Sequence, residues 1–218
     1  MKFVYLHGFA SGPGSKKARY FQERMARAGM ELLVPDLAAG DFEHLTISGQ
    51  LAIVEQVAGG GPAALIGSSL GGYLAALYAA RRPREVRRVV LLAPAFSFPR
   101  LFAAGVGEEG LERWRSSGRL SVFHYGAGEM RDLGYQILED GAQYEDFPGF
   151  HQPALLFHGR SDASVPVRLS EDFAAGHSNV RLRVMESDHE LINVLDALCS
   201  ETLNFLAEEQ PEASRKQS

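Results

Sequence analysis

Ala63-Ala64-Leu65-Ile66-Gly67-Ser68-Ser69-Leu70-Gly71-Gly72-Tyr73 is the stretch on which the fold turns. Its first four residues are uninterrupted and apolar, as in a short strand buried on both faces. From Leu70 the apolar residues take helical spacing, and Pro83 closes the run. Between the two lies Gly67-x-Ser69-x-Gly71. A turn this tight leaves no room for a side chain at either glycine, and it holds the serine hydroxyl above the strand ends. The helix that follows points its first N–H groups at the same spot, where they favour developing negative charge. Ser69 is therefore the candidate nucleophile. Ser68 lies out of register with both glycines.

The same alternation extends in both directions. Predicted strands at 3–6, 31–34, 63–67, 86–92, 154–157 and 180–185 alternate with helices at 16–29, 46–58, 70–82, 167–175 and 190–207. This pattern predicts an α/β protein with a mainly parallel six-stranded sheet flanked by helices. Ser15 is expected to cap the first helix and Gly29 to stop it. Residues 97–150 break the rhythm, being far longer than a crossover needs. They hold helix-like pieces and no clear strand, so a helical cap over the strand ends is expected. The reading is one domain over residues 1–208, with a polar, disordered tail at 209–218.

A chain of 218 residues can bury a sizeable single core. The net charge of −5 argues against a nucleic-acid binder. No apolar run approaches the roughly 20 residues that span a bilayer. The apolar start ends at His7-Gly8, so it reads as a strand and not as a signal peptide. The single cysteine, Cys199, has no partner for an intramolecular disulfide, which fits a cytoplasmic location. It lies among apolar residues at helical spacing and reads as a buried small hydrophobe. Arg81, Arg82, Arg84, Arg87 and Arg88 flank a helix end, where solvated cations complement the dipole.

A serine hydroxyl needs a base, and the base needs an orienting acid. After Ser69 the chain supplies His158-Gly159-Arg160-Ser161-Asp162 past one strand, then Ser187-Asp188-His189-Glu190 past the last. Loops leaving the ends of parallel strands are where function concentrates in such sheets. Asp162 is therefore expected as acid and His189 as base. Asp188 is too near His189 in the chain to reach round to its ring, and is expected to cap the final helix. His44, His124, His151, His158 and His177 are rival bases in poorer positions, with His158 expected to pack near the acid loop. The loop after the first strand, His7-Gly8-Phe9-Ala10, is expected to give one oxyanion donor, the Phe9 N–H. Gly8 would allow the unusual backbone that turns it inward. The Leu70 N–H would be the second donor. The loop continues Ser11-Gly12-Pro13-Gly14-Ser15-Lys16-Lys17, which lacks the spacing of a P-loop. Trp114, Phe123, Tyr125 and Tyr135 in the insertion are expected either to line an acyl pocket or to pin the cap.

These motifs together resemble the small bacterial YqiA-like esterases of the α/β-hydrolase superfamily. The resemblance runs from residue 3 to about residue 205. It rests on Tyr5-Leu6-His7-Gly8-Phe9-Ala10-Ser11-Gly12-Pro13-Gly14-Ser15-Lys16-Lys17-Ala18, on Ile66-Gly67-Ser68-Ser69-Leu70-Gly71-Gly72-Tyr73, and on the two acid and base motifs above. Phe123-His124-Tyr125-Gly126 and Leu138-Glu139-Asp140 add to it. It implies the α/β-hydrolase fold, Ser69, Asp162 and His189 in the roles argued above, and hydrolysis of short acyl esters. One departure stands in the acid loop, where Ala163-Ser164-Val165-Pro166 replaces an expected second acid followed by Val-Val-Pro. The expected activity is ester hydrolysis through an acyl-serine, on a small-molecule substrate and with no metal or cofactor. The alternatives are an acyl thioesterase or protein deacylase, and a non-catalytic binding protein on the same fold.

Overall fold

The computed structural model describes residues 1–208, so the tail expected at 209–218 lies outside the described residues. In chain order the elements are β1 (Lys2–Leu6), α1 (Lys16–Arg27), β2 (Leu32–Leu33), α2 (Ile47–Ala58), β3 (Ala63–Ser68), α3 (Leu70–Arg81) and β4 (Val86–Leu92). Then come α4 (Phe98–Val106), α5 (Glu108–Ser117), β5 (Arg119–His124), β6 (Glu129–Gly134) and α6 (Gln136–Gly141). The chain closes with β7 (Ala154–Gly159), α7 (Val167–Ala175), β8 (Val180–Met185), a 3-10 turn (Ile192–Val194) and α8 (Leu195–Ala207).

The main sheet has six strands in the order β2-β1-β3-β4-β7-β8, all parallel. Period-two alternation sorts its side chains into two layers. Val4, Leu6, Leu65, Val89, Leu91 and Leu156 face α2, α3 and the cap. Tyr5, Ala64, Ile66, Val90, Leu92, Leu155 and Phe157 face α1 and α8. The strand order turns back between β1 and β3, and a crevice at the C-terminal edge of that switch point is the favoured place for a site. Among the described residues no helix is long and apolar enough to cross a membrane.

The boundaries follow local chemistry. Ser15 accepts from the Ala18 N–H and caps α1, and Gly29 follows the helix at φ 74°. Thr46 caps α2 through the Gly49 N–H. At the sheet edge β2 is shorter than expected, since only Leu32 and Leu33 pair with β1. The last helix begins at Leu195 and not at Glu190, because Leu191 takes φ 57° and a 3-10 turn intervenes. Asp188 thus caps a turn, accepting from the Glu190 and Leu191 N–H groups, and does not cap the helix. Cys199 is fully buried in α8.

The insertion holds the expected helices, α4, α5 and α6, but also an antiparallel hairpin that the sequence reading lacked, with Arg119 opposite Gly134 and His124 opposite Glu129. The cap is fastened to the body at several points. The Glu43 carbonyl accepts from the Gly134 N–H at 2.8 Å and from Gln136 Nε2 at 2.7 Å. Asp140 accepts from the Ser48 N–H and hydroxyl at the start of α2, at 2.8 and 2.5 Å. Within the insertion, Ser97 donates to Asp146 at 2.8 Å and joins its two ends.

Candidate active site

Ser69 sits between β3 and α3 at φ 54°, ψ −119°, a left-handed conformation that costs a non-glycine residue of order 1–3 kcal/mol. The turn that imposes it is packed against backbone. A Cβ on Gly67 would lie 2.3 Å from the Gly71 carbonyl oxygen, and one on Gly71 only 2.1 Å from the Leu6 oxygen. The Ser69 carbonyl accepts from the Gly72, Tyr73 and Ala95 N–H groups, which ties the turn to α3 and to the end of β4.

Three strand ends bring the expected residues together. His189 Nε2 lies 3.0 Å from Ser69 Oγ, and His189 Nδ1 lies 2.7 Å from Asp162 Oδ2. An ionised carboxylate only accepts, so Nδ1 carries the proton and Nε2 is left to accept from the serine hydroxyl. The Asp162 side chain is wholly buried and His189 is 18% exposed. Asp162 Oδ1 accepts from the Ser164 and Val165 N–H groups, both at 2.8 Å. Burial opposes its ionisation, but contacts with His158 and His189 and the Val165 N–H outweigh that penalty. They hold the carboxyl well below the ordinary carboxylate range.

That shift has a consequence for stability. The folded value lies below the unfolded one of about 3.9, so the ionised carboxylate stabilises the fold fully above about pH 4. The contribution is lost as pH falls toward the folded value. Asp162→Asn should melt below the parent at pH 7, and the gap should narrow by pH 3. Thermal melts across that range check this, and a gap constant with pH would disprove it.

Beside Ser69, the Phe9 and Leu70 N–H groups donate to no protein acceptor among the described residues. Gly8 does not have the unusual backbone expected of it, and the left-handed residue of that loop is Ala10, at φ 50°. Gly8 serves closeness instead, for a Cβ there would lie 3.4 Å from Ser69 Cβ. His7 is buried behind it. Its Nδ1 meets the Gly8 carbonyl at 3.0 Å and its Nε2 accepts from the Leu37 N–H at 3.2 Å. Burial holds this imidazole below its ordinary value, in keeping with a neutral, structural ring.

Ser69 and His189 open into a cavity of about 1370 Å³ under the cap. One wall is apolar: Phe9 from the first loop, Phe98, Leu101, Phe102 and Val106 from α4, and Leu120 and Val122 from β5. The polar lining comes from Ser11, Lys16, Lys17 and Arg19 near the first loop and from Arg131, which stands opposite Val122 on the hairpin. Of the four aromatics expected in the pocket, only Tyr125 lines it. Trp114 is buried, donates to the Leu133 carbonyl at 2.9 Å and packs edge-on against Tyr135, so these two hold α5 against the hairpin within the cap. Phe123 is 45% exposed on the hairpin. The walls come from α4 instead, where Phe98, Leu101 and Phe102 repeat at helical spacing, a signal present in the sequence.

Four of the five rival histidines have ring contacts elsewhere. His44 pairs with Asp41, His177 stacks on Phe173, and His124 accepts from the Ala127 N–H at the cavity edge. His158 does lie against the acid loop. Sequence reasoning missed Lys17, which is buried in the cavity wall and donates to the Glu190 carbonyl at 3.0 Å, next to His189.

The model of an uncharacterised protein family, UPF0227, matches residues 2–206. No curated protein matches the chain. Among solved structures, a putative hydrolase from Agrobacterium vitis S4 is similar over 95% of this chain and 88% of its own, with 22% identity and a TM-score of 0.81. Mouse alpha/beta hydrolase domain-containing protein 10 is similar over 94% and 89%, with 19% identity and a TM-score of 0.78. Est1E from Butyrivibrio proteoclasticus, solved with ferulic acid bound, is similar over 94% and 89%, with 21% identity and a TM-score of 0.75. These likenesses establish the α/β-hydrolase fold.

Proposed function

Since the chain belongs to the UPF0227 family and has the α/β-hydrolase fold, we propose that it is a serine esterase, cleaving carboxylic esters through an acyl-serine intermediate. The observation that carries this reading is the unbroken hydrogen-bonded line from Ser69 Oγ through His189 to Asp162. As Ser69 Oγ attacks the ester carbonyl, its proton passes to His189 Nε2. Asp162 holds the ring in the required tautomer and stabilises the imidazolium that forms. The carbonyl oxygen, now negative, is met by the Phe9 and Leu70 N–H groups. His189 then returns its proton to the departing alcohol. Water, giving its proton to the same ring, attacks the acyl-serine; that proton passes to the departing Ser69 Oγ and the acid is released.

The apolar lining from α4 and β5 supports placing the acyl group there, with the alcohol part toward Ser11, Lys16 and Lys17 of the first loop and α1. The test is covalent. A fluorophosphonate probe should label the folded protein at one residue, and peptide mapping should find the adduct on Ser69. A well-folded protein that stays unlabelled would favour the binding-protein alternative and end this proposal.

A further inference from the structure

His158 is a titratable side chain beside the site with no exposed surface, and the mechanism above does not use it. It stands on β7, four residues before Asp162 and outside the line to Ser69. Its Nε2 lies 2.9 Å from the Val165 carbonyl oxygen and 3.1 Å from Asp162 Oδ2. Both neighbours are acceptors, so Nε2 carries the proton. Its Nδ1 then accepts from the Ser170 hydroxyl at 2.7 Å, and Ser170, on α7, is also fully buried. Every polar atom of the imidazole is accounted for, and its orientation is set from outside the acid loop.

The loop from Asp162 to Val165 is thereby gripped on both sides. The Val165 N–H holds Asp162 Oδ1, while the Val165 carbonyl is held by His158. The oxygen that faces His189, Oδ2, also lies 3.1 Å from His158 Nε2, beside the N–H that the Val165 carbonyl receives. Two imidazoles therefore meet one carboxylate oxygen, one facing the nucleophile and one facing the core. The chain departs from the expected acid-loop sequence at Ala163-Ser164, so this grip does not depend on a second acid.

We infer that His158 is a positioning residue for the proposed reaction, fixing Asp162 Oδ2 where it orients His189, with Ser170 holding the His158 ring. The inference rests on the reading of Asp162 as the acid. It acts through Asp162 alone, and that gives the test.

His158→Leu should lower kcat for a chromogenic ester about 10- to 100-fold with KM within about twofold, the cost of misplacing a catalytic group by about 1 Å. His158→Gln, whose amide nitrogen reaches the place of the imidazole Nε2, should recover most of the loss. In a D162N background the His158→Leu change should cost nothing further, since coupled residues are not additive. A merely structural role would lower activity equally in both backgrounds. Ser170→Ala, which frees the ring but leaves the donor, should lower kcat several-fold with D162 present and not in D162N. It carries the test if the leucine variant does not fold. Parental kcat in both folded single variants, or equal losses in both backgrounds, overturns the inference. If Ser69→Ala itself keeps parental turnover, the serine-hydrolase reading has failed instead.

Discussion

Ser69→Ala should lower kcat on a chromogenic short-chain ester by about 10⁵-fold or more, the scale of loss on removing the nucleophile of such a relay. The fold should survive the change. Ser69 Oγ makes its hydrogen bond only with His189, and no other described side chain depends on it. Alanine meets the same strain at φ 54° that serine already bears, so the turn keeps its shape and melting should move by no more than about 1 kcal/mol. What remains in the variant is informative. The Phe9 and Leu70 N–H groups and the cavity are untouched, so substrate still binds and KM changes little. The residual rate, on the order of 10³-fold above water, comes from oxyanion stabilisation and binding alone. Burst and steady-state kinetics on purified protein check this. Turnover within tenfold of the parent would remove Ser69 from the proposed mechanism.

The parts of the site that could be read from the residues are those whose chemistry needs a strand end. Gly67-x-Ser69-x-Gly71, Asp162 and His189 each follow a strand legible in the sequence, and parallel strands must deliver such residues to one edge. The main sheet was legible for the same reason, since Ala63–Ser68 and Ala154–Gly159 are buried throughout. The hairpin was not. In Arg119–His124 only Leu120, Val122 and His124 turn inward, and in Glu129–Gly134 little besides Leu133 and Gly134 is buried, while Met130 and Phe123 are exposed, so neither strand is an uninterrupted apolar run. The start of α8 was misplaced because Leu191 takes a left-handed conformation that a leucine seldom adopts. The sequence left two roles open for the cap aromatics, and spacing could not choose between them. Trp114 and Tyr135 pack together within the cap, Tyr125 lines the cavity, and side chains on α4 supply the rest of its apolar lining. The contact between His158 and Asp162 depends on where α7 places Ser170, which spacing along the chain does not reveal.

Gly71→Ala should cost more stability than any other single methyl added to the chain's centre. Its Cβ would lie 2.1 Å from the Leu6 oxygen, 2.5 Å from the Leu6 carbonyl carbon and 2.6 Å from the His7 oxygen. All three are backbone atoms at the end of β1, a strand paired on both sides, so no side chain can swing away. Relief requires α3 to lift from β1, and α3 is buried along nearly its whole length against β3 and β4. Overpacking a tight core costs about 1–3 kcal/mol when neighbours yield, and here they are backbone, so about 3 kcal/mol or more is expected. The same lift would carry Ser69 and the Leu70 N–H away from the Phe9 N–H, so activity should fall further than stability alone accounts for. Gly61→Ala is the control, because nothing lies within 4 Å of a Cβ there. It should melt and turn over as the parent does. Urea melts and ester turnover of the two variants, measured side by side, separate the cases. A G71A protein as stable and active as G61A would mean that α3 and β1 do not approach as closely as the turn around Ser69 requires.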